Sequence, residues 1–260
     1  MKSDMKKIIF ILSLCLSSHL LASISIVSDL DDTIKITNSG DTVEGAINAA
    51  LKSDVFTGMT EFFMAAKLYT NELHVLSASP TILRTKITMT LKKRKIDFDS
   101  LILKDPVKNE TKFDYKVREI KKILQQSSDD LILIGDDVGQ DPESYAEIQR
   151  LYPNRILAIY IHSIKNRQIP SGLKYWTTFD LFLREFTAER MSPGWLEKGT
   201  EILLQERELT KIVPLFAHCP TEVSIWTWQL SSIYSEEAAR IMSKITSYCK
   251  VRSSSILPLH

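Results

Sequence analysis

The sequence predicts an α/β fold: a doubly wound parallel sheet carrying a helical appendage at its C-terminal end. Three observations predict it. Short apolar runs recur between Ser23 and His162 without clean alternation, helical patterns separate them, and the strand signal stops beyond about Asp180. Strands covered on both faces read as near-continuous apolar runs, and strand–helix alternation marks a parallel sheet.

The expected strands are Ile24-Ser-Ile-Val27, Leu73-His-Val-Leu76, Leu101-Ile-Leu103, Leu131-Ile-Leu-Ile134 and Ile156-Leu-Ala-Ile-Tyr-Ile161. Helices are expected at about 60–69, 80–95, 113–126 and 142–151. Ser79-Pro80 and Asp141-Pro142 each read as an N-cap followed by proline at the first helical position. Farther on, Ser192-Pro193 opens a helix reaching toward Ile212, where Pro214 ends it. Ser235 caps another, whose Ala238, Ile241, Met242, Ile245 and Cys249 share one face. The expected segments are therefore 1–22, a sheet domain over 23–180, and a helical appendage over 181–260.

The first segment reads as an export signal. Lys6 and Lys7 precede the apolar run Ile8 to Leu16, and cleavage is expected after Ala22. The run falls short of the ~20 residues that span a bilayer; an uncleaved anchor is the alternative. Exported protein would be periplasmic or secreted and would keep only Cys219 and Cys249 of its three cysteines. In an oxidising compartment two cysteines suit one disulfide, with two buried free thiols the alternative. Across the chain 33 basic residues face 32 acidic ones. That balance points to no nucleic acid partner and no anionic surface, and no stable protein partner is evident. Partners must be argued from the site.

In open α/β sheets ligands bind beyond the C-terminal ends of the strands. The first strand runs into Asp29-Leu30-Asp31-Asp32-Thr33. Two carboxylates two residues apart, with a backbone carbonyl between, suit a hard divalent cation and a carboxylate nucleophile; an acidic turn is the plainer reading. The second strand ends in Ser77-Ala78-Ser79-Pro80. With Ser79 spent as a cap, Ser77 is free to place its hydroxyl on a phosphate oxygen, unless it is an ordinary turn serine. The fourth ends in Gly135-Asp136-Asp137, where Asp136 stands as a metal ligand would. Asp141 is either a further ligand or simply a helix cap. Lys116, near the start of the helix at Phe113, could reach inward to a phosphate; Lys112 competes for that role. Buried carboxylates gathered from separate strands are costly unless a cation compensates them.

Taken in order, these elements resemble the haloacid-dehalogenase superfamily motif set. More narrowly, Ser28-Asp-Leu-Asp-Asp-Thr-Ile-Lys35, Ser77-Ala-Ser-Pro80, Tyr115-Lys116 and Ile134-Gly-Asp-Asp-Val-Gly-Gln-Asp-Pro-Glu-Ser-Tyr145 resemble the catalytic domain of actin-patch-associated phosphatidate phosphatases, relatives of the lipins. The resemblance covers roughly 24–180. One departure lies in the last motif, where Gly139-Gln140 follow Asp136 one position later than in that family.

The resemblance implies a Mg2+-dependent phosphomonoester hydrolase with an aspartyl-phosphate intermediate. Asp29 would be the nucleophile and Asp31 the general acid and base. Asp29, Asp31 through its backbone carbonyl, and Asp136 would hold Mg2+, with Asp137 or Asp141 in support. Ser77 and Lys116 would hold the phosphate. The expected substrate is phosphatidate or a related lipid phosphate. The alternatives are a secreted acid phosphatase or nucleotidase, and a non-catalytic lipid-binding module. The stretches between Asp29, Ser77 and Lys116 are too short for a large cap, and Trp226, Trp228 and Tyr234 offer an apolar approach surface.

Overall fold

The computed structural model describes residues 23–38, 54–220 and 235–255. The export segment 1–22, Trp226, Trp228 and Tyr234 lie outside the described residues.

Six parallel strands form one sheet in the order β3-β2-β1-β4-β5-β6. They are β1 (Ile24–Ser28), β2 (Leu73–Pro80), β3 (Ser100–Lys104), β4 (Asp130–Asp136), β5 (Ile156–His162) and β6 (Leu173–Tyr175). The chain winds outward from β1 to β3, then returns to lay β4 on the other side of β1. Neighbouring β1 and β4 therefore send their following loops apart, which opens a crevice at their C-terminal ends. Side chains alternate between the two faces, as a strand's period of two requires. Val27, Leu131 and Leu133 pack on one face, with α3 (Lys112–Gln126) and α4 (Asp141–Leu151). Ile26, Ile132 and Ile134 pack on the other, under α1 (Met59–Ala66), α2 (Arg84–Lys93), α5 (Thr178–Thr187) and α6 (Pro193–Gln205). Both faces are covered, which is why these strands lack polar alternation.

Two elements have no counterpart in the sequence reading. Strand β6 is only three residues long and adds to the sheet edge with Leu173 about half exposed, so it leaves no apolar run. Helix α5 crosses position 180 and is held by a capping box between Thr177 and Asp180. That Thr-x-x-Asp spacing was its legible signal.

Three terminus assignments change. Strand β2 continues through Ser79 to Pro80, and a 3-10 turn at Thr81–Leu83 precedes α2, so Ser79 caps nothing. Asp141 is the first residue of α4 rather than its cap, and the capping position, Gln140, makes no side-chain bond. Helix α6 stops at Gln205 rather than near Ile212. The ammonium of Lys244 explains that stop: it donates to the carbonyls of Leu203 (2.9 Å), Leu204 (2.6 Å) and Glu206 (2.6 Å). Carbonyls at a helix end need such partners.

Lys244 belongs to α7 (Ser235–Ser255), whose Ala238, Ile241, Ile245 and Cys249 join the larger core. Cys249 is disulfide-bonded to Cys219. Arg252 adds bonds to the carbonyls of Pro214 (2.9 Å) and Ala217 (2.7 Å). The last helix is thus fastened covalently and by charge to the segment after α6.

Candidate active site

The crevice at the C-terminal ends of β1 and β4 gathers the predicted residues from five elements, the turn after β1, β2, α3, β4 and α4. Asp29 leaves β1 with its amide bonded to the carbonyl of Ile134 on β4 (2.8 Å), which holds the two strand exits together. Asp29, Asp136 and Asp141 are all buried, and one oxygen of each lies within 4.8 Å of the others. Lys116, also buried, donates from α3 to Asp29 Oδ1 (2.7 Å) and to Asp141 Oδ1. Lys116 is the inward-reaching lysine, standing one turn inside α3.

Gly135 makes the approach of Asp141 possible. A Cβ there would come within 2.5 Å of Asp141 Oδ2, so any larger residue would push the carboxylate out. In the same turn the amides of Val138 and Gly139 donate to Asp136 Oδ1 (2.6 and 3.2 Å). Thr33 donates to Asp136 Oδ2 (3.3 Å), which accounts for the threonine of the first motif as a positioning residue. Asp137 points elsewhere. It accepts from the amides of Ile164, Lys165 and Arg167 (2.8, 2.6 and 3.0 Å) and so anchors the loop after β5. Of the two supporting ligands considered, Asp141 is the one inside the cluster.

Asp31 faces a different wall. Its Oδ2 accepts from Ser79 (2.9 Å) and Ser77 (3.2 Å), and the Ser77 hydroxyl in turn accepts from the amide of Ser79 (3.0 Å). Its side chain therefore lies outside the three-carboxylate cluster. The intervening turn is shaped by Asp32, which adopts a left-handed conformation (φ 58°). The Asp32 carboxylate accepts from the amides of Thr37 and Asn38 (2.9 and 2.8 Å). Its carbonyl lies 2.8 Å from His162 Nδ1 at the end of β5, and the His162 ring stacks on Tyr175 at 4.6 Å. Lys35 is fully buried in the same turn. Sequence reasoning passed over Thr33, Lys35, Ser79 and His162 as site residues. A lysine and a histidine within or beside the strand-end motifs were the available signals.

The electrostatics follow from this crowding. Burial pushes the Asp29 carboxyl well up; Lys116 opposes that, and Asp141 and Asp136 reinforce it. Burial and then Asp141 raise Asp136 to about 8. Desolvation alone would lower the Lys116 ammonium, yet Asp141 and Asp29 carry it well above the ordinary lysine range. Asp31 is raised by burial, against the pull of Lys35 and Ser79. Three ionised carboxylates with one ammonium would leave excess negative charge, so without a cation burial favours protons on Asp29 and Asp136, and an all-oxygen donor set suits a hard divalent cation in their place. The residues present fit such an ion.

The family profile described as "Phosphatidate phosphatase APP1, catalytic domain" matches residues 24–163, which contain every residue of this cluster. Among curated proteins none matches the sequence. Among solved structures, a chain of the Pnkp1/Rnl/Hen1 complex aligns at 18% identity and a TM-score of 0.42, over 60% of this chain and 47% of that one. The class C acid phosphatase from Bacillus anthracis with tungstate bound aligns at 16% and 0.36, over 55% and 65%. Phosphoserine phosphatase from T. onnurineus aligns at 9% and 0.37, over 61% and 90%. The chain thus spans about half the length of the first of these relatives, and likenesses at such scores carry nothing about chemistry. The profile match covers more than half of the chain and contains the whole carboxylate–lysine cluster, so the chain belongs to the phosphatidate phosphatase APP1 catalytic-domain family.

Proposed function

We propose that the protein is a Mg2+-dependent phosphomonoester hydrolase that works through an aspartyl-phosphate on Asp29 and acts on phosphatidate or a related lipid phosphate. The observation that carries this reading is the division of labour among the carboxylates. Asp29 stands in a charged cluster with Lys116, Asp136 and Asp141, whereas Asp31 stands apart on Ser77 and Ser79.

In the first step an oxygen of Asp29 bonds to phosphorus as the bond to the leaving alkoxide breaks, and Asp31 gives that alkoxide its proton. In the second, Asp31 takes a proton from water, the water oxygen bonds to phosphorus, and the bond to Asp29 breaks, releasing inorganic phosphate. The raised pKa of Asp31 supports the first role, since the acid must hold its proton until the leaving group needs it. Lys116 holds Asp29 ready by hydrogen bonding and would meet the phosphate oxygens as charge moves onto them. Ser77 would orient those oxygens. Mg2+, held by Asp29, Asp136, Asp141 and the backbone carbonyl of Asp31, would offset the negative charge of the phosphate.

The substrate assignment rests on the family and on the short connections around the site, which suit a bulky ester. Export to the periplasm or beyond is supported by the basic-then-apolar N-terminus and by the Cys219–Cys249 disulfide. The deciding experiment is phosphate release by wild-type and Asp29→Asn protein on phosphatidate in mixed micelles, a nucleoside monophosphate and a sugar phosphate. Preference for phosphatidate, lost in the variant, is expected. Preference for a soluble ester would favour the acid phosphatase or nucleotidase reading, and no release from any ester the binding-module reading.

A further inference from the structure

Helix α2 and its flanking turns carry a charge pattern that the chain as a whole lacks. From Ser77 to Ile96 there is no aspartate or glutamate, yet Arg84, Lys86, Lys92, Lys93, Arg94 and Lys95 all fall there. Ile87 and Leu91 turn one face of α2 into the core. The outer face of α2 carries Lys86, Met89 and Lys93 at i, i+3 and i+7, and Ile82 stands in the 3-10 turn just before it, so apolar and basic residues alternate along this stretch. Ile82 is 85% exposed and Met89 66%. The two arginines are committed elsewhere, Arg84 to the carbonyl of Leu101 (2.7 Å) and Arg94 to Asp54 (2.8 Å).

This stripe begins at the rim of the catalytic crevice. Strand β2 enters it directly after Ser77 and Ser79, the two serines bonded to Asp31. Pro80 pairs with Lys104 on β3, so the loop after β3 emerges at the same corner. That loop holds out Val107, 88% exposed, beside exposed Lys108. Of its acids, Glu110 is paired with Arg118 (2.7 Å), and Asp105 accepts from the Val107 amide (3.0 Å).

Exposed aliphatic tips interleaved with lysines match an anionic lipid surface. The lysines meet lipid phosphates and the aliphatic tips enter the acyl boundary. We propose that the corner formed by Ile82, Lys86, Met89, Val107 and Lys108 docks on an anionic phospholipid bilayer and turns the rim of the crevice toward it. This deepens the lipid-phosphate reading and rests on it for its purpose. Attachment through this corner is peripheral; among the described residues no helix is long and apolar enough to cross a membrane.

The test is sedimentation of the full chain with phosphatidylcholine vesicles, with and without phosphatidylserine. Neither lipid is a phosphomonoester, so binding is read apart from catalysis. Binding to the anionic vesicles, released by salt, is expected. Lys86→Glu with Lys108→Glu should weaken it at least about 25-fold, roughly fivefold for each cation lost. Ile82→Ser with Val107→Ser should weaken it several-fold. Both double variants should hydrolyse p-nitrophenyl phosphate at the wild-type rate, which also reports that they fold. Undiminished vesicle binding by the double variants would overturn the proposal. So would a generic polyanion patch, in which the lysine pair weakens binding to an RNA oligonucleotide equally and the aliphatic pair weakens nothing. Vesicle binding without phosphatidate hydrolysis would support the docking corner and sink the substrate reading instead.

Discussion

The ammonium of Lys116 sits 2.7 Å from Oδ1 of Asp29, and both side chains are buried. A single cation therefore compensates the proposed nucleophile and, through the same Nζ, Asp141. One ammonium cannot compensate three ionised carboxylates, and from that imbalance different consequences follow for the two partners.

Removing the Asp29 charge should abolish phosphate release while leaving stability nearly unchanged. Burial already works against its ionised form, and Asp29→Asn leaves Lys116 paired one-to-one with Asp141. A change within about 1 kcal/mol in urea denaturation is expected. Lys116→Ala should instead destabilise by about 3–5 kcal/mol in EDTA, because the buried carboxylates lose their cation. Equal stability losses in the two variants would contradict this account.

Asp31→Asn should lower turnover by roughly 10²–10⁴, the range for losing a general acid–base. The loss should be larger for an alkyl ester than for p-nitrophenyl phosphate, whose leaving group needs no proton. Matching losses on both esters, measured as steady-state rates, would remove Asp31 from the protonation step.

Stability of the metal-free protein should fall as pH rises. Asp136 is held up at about 8 in the folded protein, above the ~4 of an unfolded aspartate. Between those values the folded state binds the extra proton, so the stabilisation present below about pH 4 is lost as pH climbs to about 8. Mg2+ competes with that proton, so its stabilising effect should be greater at pH 8 than at pH 5. Thermal melts in EDTA and in Mg2+ at both pH values test this, and Asp136→Asn should flatten the difference.

Replacing Cys219 and Cys249 with serine should cost about 3–4 kcal/mol in the chain-entropy picture, given their separation of 30 residues. Mass spectrometry of protein from its native compartment should find the pair oxidised. Two free thiols there would count against export as well as against the clamp on α7.

The sequence by itself determined the sheet and its chemistry-bearing ends. Apolar runs without alternation mark strands buried on both faces, and Asp29 and Asp136 stand at or just beyond a strand end, with Ser77 near the end of β2, where an open parallel sheet exposes them. Local pattern could not reach further. Whether Asp141 capped a helix or joined a cluster depended on Gly135 leaving room for its carboxylate. Ser79 was freed for Asp31 only because β2 runs on to Pro80 beside Lys104. Helix α6 ends where Lys244, far along the chain, takes its carbonyls. Each of these was decided by tertiary contact between distant residues, because a side chain with two satisfactory local partners takes the one that the packed neighbours leave open.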